Sequence, residues 1–185
     1  MIRVYVGCCA DGSDAESRAV LEYSLRRHAS QPVELIWLMA DASWSTRNWS
    51  TSFSGLRWAV PELAGFDGRA IYLDSDMIVQ ADIAELWAQA IPEGAFALVT
   101  GVGRKQRTCV MLLDCAAAQT HLPPLFNLKR GLHRDLKAML TDQPELVGQI
   151  SGRWNCVDLK GSTGVGDPDV KIIHYSSLAH QPSHP

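Results

Sequence analysis

The sequence predicts an α/β fold in which a mostly parallel sheet is flanked by helices. Short apolar segments rich in β-forming residues alternate along the chain with segments of helical periodicity, the order typical of this class. The chain has 185 residues, 46% of them hydrophobic, which is enough to bury a core. Because no internal repeat or linker interrupts this pattern, a single domain over residues 1–185 is expected.

The strands are predicted from short apolar runs bounded by turn residues or charges. In chain order they are residues 2–6, 33–39, 70–73, 95–100, 109–113 and 170–173. Gly7 is expected to end the first strand. The segment 41–54 is rich in Ser, Thr, Trp and Asn and is predicted to be a long loop. Long ordered loops are often functional, so this one is a candidate substrate-binding edge.

Two helices are predicted from capping boxes, in which a serine or aspartate at the N-cap precedes a glutamate by three residues. Ser13-Asp14-Ala15-Glu16 opens the first helix, whose apolar positions continue at helical spacing to His28. Asp82-Ile83-Ala84-Glu85 opens the second, which runs through Trp87. A third helix is predicted over residues 132–140 from its periodicity.

Charge and cysteine usage limit the partners and the location. A net charge of -3 gives no broad attraction to nucleic acid or to an anionic membrane, so neither is expected as a partner. No apolar run approaches the roughly 20 residues needed to span a bilayer. The first strand begins almost at Met1, without a signal peptide, and the five cysteines lack CxxC spacing. Reduced thiols in the cytoplasm are therefore expected.

Asp74-Ser75-Asp76 is the motif that points to chemistry, because it follows an apolar strand directly. In an open α/β sheet, ligands collect beyond the carboxyl ends of the strands. Two carboxylates at such an edge need a charged partner, and a divalent cation such as Mn²⁺ or Mg²⁺ suits them. A solvated turn or a helix cap is the alternative. His174 follows another apolar run and could complete the coordination, which favours Mn²⁺.

Several blocks around this motif resemble the family 8 glycosyltransferases, the group of glycogenin and the bacterial lipopolysaccharide galactosyltransferases. In chain order the blocks are residues 51–58, 60–63, 68–78, 82–86, 154–155, 174–176 and 181–182. The resemblance implies a GT-A-like fold with a Rossmann-type sheet. It also implies metal-dependent, retaining transfer of a hexose from a UDP-sugar to a sugar, lipid or protein acceptor.

The resemblance also implies roles for individual residues. Asp74, Asp76 and His174 would hold the metal, and Asp74, Asp76 and Arg57 would be the catalytic residues. Gly7 would let the nucleotide approach the backbone closely. The residues expected to bind the donor are Val6, Gly7, Cys8, Arg57, Asp74, Ser75, His180 and Gln181. Asn155 is expected to orient polar groups near the site.

The sequence departs from the family pattern at two places. Gln181 stands where the family has a lysine that contacts the diphosphate, and His180 is the possible substitute. Arg107-Thr108-Cys109-Val110 stands where the family has Asn-Ala-Gly-Val. A weaker or pH-dependent hold on the diphosphate is expected, together with an altered contact to the sugar.

Two alternative functions stay open at this point. One is a non-catalytic nucleotide-binding or sugar-binding relic of the fold. The other is a haloacid-dehalogenase-like phosphatase, in which the first aspartate of a DxD motif attacks phosphorus. Among the remaining aromatic residues, Trp44 and Trp49 are candidates for stacking on an acceptor sugar. His121 has no partner at a useful spacing and is expected at the surface.

Overall fold

The computed structural model describes residues 1–44, 51–101, 105–129, 133–157 and 167–176. The strands are β1 (Ile2–Cys8), β2 (Val33–Met39), β3 (Arg69–Asp74), β4 (Met77–Val79), β5 (Ala97–Thr100), β6 (Arg107–Asp114), β7 (Val147–Ile150), β8 (Cys156–Val157) and β9 (Ile172–His174). The helices are α1 (Ala15–His28), α2 (Val60–Leu63), α3 (Ile83–Trp87), α4 (Cys115–Ala118), α5 (Leu125–Leu128) and α6 (His133–Asp142).

Six of these strands form the main sheet, in the order β2-β1-β3-β6-β5-β7. β1 is parallel to both β2 and β3, and β7 is parallel to β5. Only β6, within the described sheet, runs against its neighbours β3 and β5. The prediction of an α/β fold with a mostly parallel sheet flanked by helices is therefore confirmed.

Two apolar clusters cover the two faces of this sheet, as the alternation of side chains along a strand requires. On β3, for example, Tyr72 belongs to one cluster, and Ile71 and Leu73 belong to the other. The first cluster takes residues from α4 and α6, and the second takes residues from α1 and α3. Because helices lie on both faces, the central strands are apolar on both sides, which explains why their sequences read as continuous hydrophobic runs.

Several boundaries differ from the predictions for identifiable reasons. Gly7 does not end β1, because it pairs with both Leu38 and Asp74 inside the sheet. The capping box at the start of α1 is not formed, because the carboxylate of Asp14 makes no cap hydrogen bond and points elsewhere. Asp82 does cap α3, where it accepts from the backbone N–H of Ala84. Strands β4, β7 and β8 have no counterpart among the predictions.

A second sheet of three short strands, in the order β4-β9-β8, lies where the DxD motif leaves the main sheet. α1 is tied to this sheet by Ser24, whose hydroxyl accepts a hydrogen bond from the backbone N–H of Val79 at 3.0 Å. Among the described residues, no helix combines the length and the apolarity needed to cross a bilayer.

Candidate functional site

The site is built around Asp74, the last residue of β3, which forms a buried ion pair with Arg57. The Arg57 Nη2 to Asp74 Oδ1 distance is 3.0 Å, and the two residues are 7% and 6% exposed. Tyr72 also donates its hydroxyl to Asp74 Oδ1, at 2.7 Å. Asp74 Oδ2 has only a longer contact of 3.4 Å with Arg57 Nη2. Oδ2 is thus the less engaged carboxylate oxygen.

Arg57 is held on every side of its guanidinium. Its Nε donates to Ser54 O at 2.7 Å, and its Nη1 donates to Thr108 Oγ1 at 3.0 Å. The guanidinium also lies 5.1 Å from the centre of the Tyr72 ring. Burial alone would lower the pKa of Arg57, but the charge of Asp74 raises it above its ordinary value. Arg57 is therefore a fixed cation that holds Asp74 in place.

Burial, and then the charge of Asp74, raise the pKa of Tyr72 well above its ordinary value. The phenol therefore stays protonated at neutral pH and remains a donor to Asp74.

His174 reaches this edge through the small sheet. β4 begins directly after the DxD motif, and its Met77 lies opposite His174 in the antiparallel pairing with β9. The backbone N–H of Tyr175 donates to Asp76 O at 2.9 Å, which fixes the register at the end of the strand. A histidine 100 positions away along the chain is thereby placed beside the motif, as the sequence predicted.

The orientation of the His174 ring is set by Asn155. Asn155 donates its amide to Thr100 Oγ1 at 3.1 Å, so its carbonyl oxygen faces the ring, 2.9 Å from His174 Nδ1. Because that oxygen only accepts, Nδ1 carries the proton and Nε2 faces Asp76 Oδ1 at 3.3 Å. The expectation that Asn155 orients polar groups here agrees with these contacts.

Burial alone would lower the pKa of His174, but its contacts with Asp76 and Cys109 raise it to about 10. The imidazole is therefore protonated at neutral pH, and a cation that bound Nε2 would displace that proton.

The residues present fit a cation. One ligand atom each from Asp74, Cys109 and His174 lie within 4.8 Å of one another. Asp76 Oδ1 is buried and accepts no hydrogen bond of good geometry, so it has unused capacity beside the same ring. Cys109 is the member of this group that no motif predicted. It lies here because β6 pairs antiparallel with β3, with Val110 opposite Leu73.

The end of β1, which was predicted to hold the nucleotide base, is buried in this structure. The side chains of Val6 and Cys8 are fully buried, and Cys8 Sγ donates to Leu38 O at 3.3 Å. Neither residue is exposed to a ligand in this structure. A Cβ on Gly7 would lie 2.4 Å from the hydroxyl oxygen of Tyr72, so the missing side chain makes room for Tyr72.

Gly7→Ala is expected to destabilise the protein by about 1–3 kcal/mol, because it overpacks this contact. Adding Tyr72→Phe removes the clashing oxygen, so the alanine should then cost about 1 kcal/mol less. Urea unfolding of the four proteins in this cycle measures the coupling. Gly152→Ala is the control, since a Cβ there meets nothing within 4 Å. Strict additivity of the two changes would contradict the proposed contact.

Asp14 is a further residue of the site that sequence reasoning missed, because the capping-box pattern assigned it to the helix end. Its side chain is 12% exposed, and its Oδ2 accepts from Ser75 Oγ at 2.7 Å and from the backbone N–H of Cys9 at 3.0 Å. Its Oδ1 makes no hydrogen bond. Asp14 thus joins Cys9, directly after β1, to Ser75, the middle residue of the DxD motif and a predicted donor contact.

Asp14→Ala is expected to lower the free energy of unfolding by about 1–3 kcal/mol, because it leaves two donors without an acceptor. Asp14→Asn keeps an acceptor oxygen and should cost less. Asp11→Ala removes an exposed carboxylate with only local contacts to Ser13, and it should change stability by less than about 0.5 kcal/mol. Chemical denaturation compares the three. Equal effects of the Asp14 and Asp11 variants would show that Asp14 is not a structural link.

The other predicted residues divide between the described and undescribed parts of the chain. His180, Gln181 and Trp49 lie outside the described residues. Trp44 is half-buried and packs against the first apolar cluster. His121, expected at the surface, is partly buried and stacks on Phe96 with ring centroids 5.8 Å apart, so that expectation was wrong.

Comparison with solved structures identifies the fold as that of the GT-A glycosyltransferases. The galactosyltransferase LgtC, in complex with donor and acceptor sugar analogs, superposes with a TM-score of 0.66 at 13% identity, over 97% of this chain and 88% of that one. GlyE from Streptococcus pneumoniae TIGR4 has a TM-score of 0.67 at 17% identity, over 95% of this chain and 54% of its own.

The bifunctional glycosyltransferase WbbM gives a TM-score of 0.69 at 13% identity over 95% of this chain, which spans just under half (46%) of that structure. Among curated proteins, Protein CDI of Arabidopsis thaliana is 25% identical over 203 residues, covering 94% of this chain and 77% of that protein. No protein-family profile matches the sequence. At these identities the structural matches establish the fold.

Proposed function

We propose that this chain is a metal-dependent, retaining glycosyltransferase of the family 8 type that moves a hexose from a UDP-sugar to a sugar, lipid or protein acceptor. The observation that carries the proposal is the meeting of Asp74 and His174, with Asp76 beside them, at the edge of a GT-A sheet where two separate strands end. Ligands of α/β sheets bind at this edge.

In this proposal Asp74, Asp76 and His174 hold Mn²⁺ or Mg²⁺. The cation, when bound, would neutralise charge that develops on the departing diphosphate. Asp74 offers Oδ2, because Arg57 and Tyr72 occupy Oδ1. Asp76 offers Oδ1, whose contact with His174 Nε2 at 3.3 Å the cation would replace. The nucleotide would lie beyond the carboxyl end of β1, and Ser75 and Asp14 would fix the loop beside it.

Arg57 takes a different part from the one that the resemblance implies. All three of its guanidinium nitrogens are engaged by protein groups, so a direct contact with the donor would have to replace one of them. We therefore assign Arg57 as a positioning residue that acts through Asp74. Among the groups that bond to Arg57, Thr108 at the start of β6 is the one that a donor could most readily replace, since it is only partly buried.

The phosphatase alternative is disfavoured by the fold, because the similar solved structures are GT-A glycosyltransferases. A nucleophilic aspartate would also have to present its less engaged oxygen, Asp74 Oδ2, to phosphorus from a residue that is only 6% exposed.

We also propose a single cytoplasmic domain over residues 1–185; the five free cysteines bear on the location alone, since disulfides are rare in that compartment.

The test is a titration of the purified protein with UDP, UDP-glucose and UDP-galactose, with and without Mn²⁺, followed by product analysis. Metal-dependent binding of UDP and slow release of hexose from a donor would support the proposal, and ADP serves as the matched control. Binding without release from any donor would favour the non-catalytic relic. Hydrolysis of a generic phosphate ester, with no affinity for UDP, would favour the phosphatase.

A further inference from the structure

Cys109 is one of the three residues whose ligand atoms meet at the candidate cation site, although the motifs that predicted the site do not include it. β6 carries Val110 opposite Leu73 of β3, so the next position along the pairing sets Cys109 beside Asp74. Its Sγ is 3.9 Å from Arg57 Nη1. The side chain is only partly buried, so solvent and ions can reach it.

We propose that Cys109 supplies a thiolate ligand to the cation at Asp74 and His174, and that the site consequently selects Zn²⁺ over Mn²⁺ and Mg²⁺. This inference deepens the proposed function and rests on the same cation site. On binding, the Sγ–H bond breaks, an Sγ–metal bond forms and the proton passes to solvent.

The donor set is what favours zinc. A carboxylate oxygen, an imidazole nitrogen and a thiol sulfur, one each, lie within 4.8 Å of one another. Oxygen-only sets suit Mg²⁺ and Mn²⁺, whereas thiolate is a soft ligand that favours Zn²⁺. Catalytic zinc sites have three protein ligands and one open position, so with Zn²⁺ bound the thiolate of Cys109 would take the place that Asp76 has in the proposed Mn²⁺ or Mg²⁺ site. In this protein the open position would take a diphosphate oxygen.

The ring of His174 already has the support that a metal ligand requires. Histidine ligands usually donate their second ring N–H to a fixed oxygen, which sets the orientation of the coordinating nitrogen. Asn155 Oδ1 accepts from His174 Nδ1 at 2.9 Å, and Asn155 is itself anchored on Thr100. Nε2 is thereby turned toward the acidic motif.

Other cysteines of the described chain lack such surroundings. Cys156 is partly buried like Cys109, but its Sγ lies 3.5 Å from Gly152 O and 3.7 Å from Arg153 O. Within the described ranges, the Asp74, Cys109 and His174 group alone brings three ligand atoms of this kind together. Cys156→Ser is therefore a matched control for a change at Cys109.

The test uses the full chain, stripped with a chelator and titrated with Co²⁺, which reports thiolate coordination by a charge-transfer band in the near ultraviolet. We expect the band in the wild type and in Cys156→Ser, and its loss in Cys109→Ser. Competition with Zn²⁺ should show that Cys109→Ser weakens Zn²⁺ binding by at least about 30-fold and changes Mn²⁺ binding by less than about 3-fold. Absence of the band from the wild type, or its persistence in Cys109→Ser, would overturn the proposal.

A second measurement does not depend on a variant that folds. Alkylation of the wild-type protein, read by peptide mass spectrometry, should be slowed by Zn²⁺ at Cys109 and unaffected at Cys156. Equal rates at Cys109 with and without Zn²⁺ would refute thiolate coordination.

Failure of this inference is distinguishable from failure of the proposed function. Mn²⁺-dependent UDP binding without a thiolate band would leave the function standing and remove Cys109 from the ligand set. A thiolate band without any nucleotide affinity would support Cys109 as a ligand and contradict the proposed function.

Discussion

Asp76→Asn is expected to abolish the Mn²⁺-dependent part of UDP binding while leaving the fold intact. The change keeps the size of the side chain and removes the charge that Oδ1, which now contacts His174 Nε2 at 3.3 Å, would offer to a cation. Substituting a residue that contacts a metal ligand lowers metal affinity by about 10–100-fold, so substituting a direct ligand should lower it by at least as much. Calorimetry of UDP with and without Mn²⁺ gives the difference.

The control for this experiment is Asp169→Asn. Asp169 is an exposed acid that pairs with Arg153 at 2.7 Å, well outside the candidate ligand set, so its loss should leave UDP binding unchanged. Thermal unfolding of both variants should match the wild type within a few degrees. An Asp76→Asn protein that binds UDP with unaltered Mn²⁺ dependence would remove Asp76 from the site.

Arg57→Ala is expected to lower the free energy of unfolding by about 3–5 kcal/mol, because it leaves the buried carboxylate of Asp74 without its counter-charge. For a chain of this length the loss corresponds to a fall in Tm of about 10 °C or more. The exposed pair of Arg26 and Glu22 provides the comparison. Arg26→Ala should cost less than about 1 kcal/mol, since surface ion pairs contribute little.

The variant Arg57→Lys tests the positive charge of Arg57 separately from its hydrogen-bond geometry. Lysine keeps the positive charge but cannot reproduce the three-way hydrogen bonding of Arg57 to Ser54, Thr108 and Asp74. Its stability should therefore fall between those of the wild type and Arg57→Ala. If Arg57→Ala unfolds at the wild-type temperature, the ion pair with Asp74 is not a structural element of the site.

The fold was predictable because its signals are local. The run Val33–Met39 is apolar apart from Glu34, and β2 has the predicted bounds. β7 was not predicted because Val-Gly-Gln-Ile is short and only its ends are buried. β4 and β8, of three and two residues, exist through pairing with β9 rather than through their own composition.

The residues of the site could be predicted only where a recognisable sequence motif contains them. Asp74, Asp76 and His174 were proposed from strand ends and from the family resemblance, and the structure brings them together. Cys109 could have been found only from the register of β3 against β6, which no local pattern encodes. Asp14 was misassigned because its sequence context matches a helix cap, whereas tertiary contacts with Ser75 and Cys9 determine its orientation.

The pairing of β4 with β9 has a thermodynamic consequence. His174 joins the acidic motif only while this short antiparallel ribbon is closed, and the ribbon has just three residue pairs. An ion bound to ligands on both sides of this pairing would therefore stabilise it, and separation of the two strands would release the ion. Occupancy and closure are then a single equilibrium, so a nucleotide that draws a cation into place would also stabilise the pairing of β4 with β9, the last strand within the described residues.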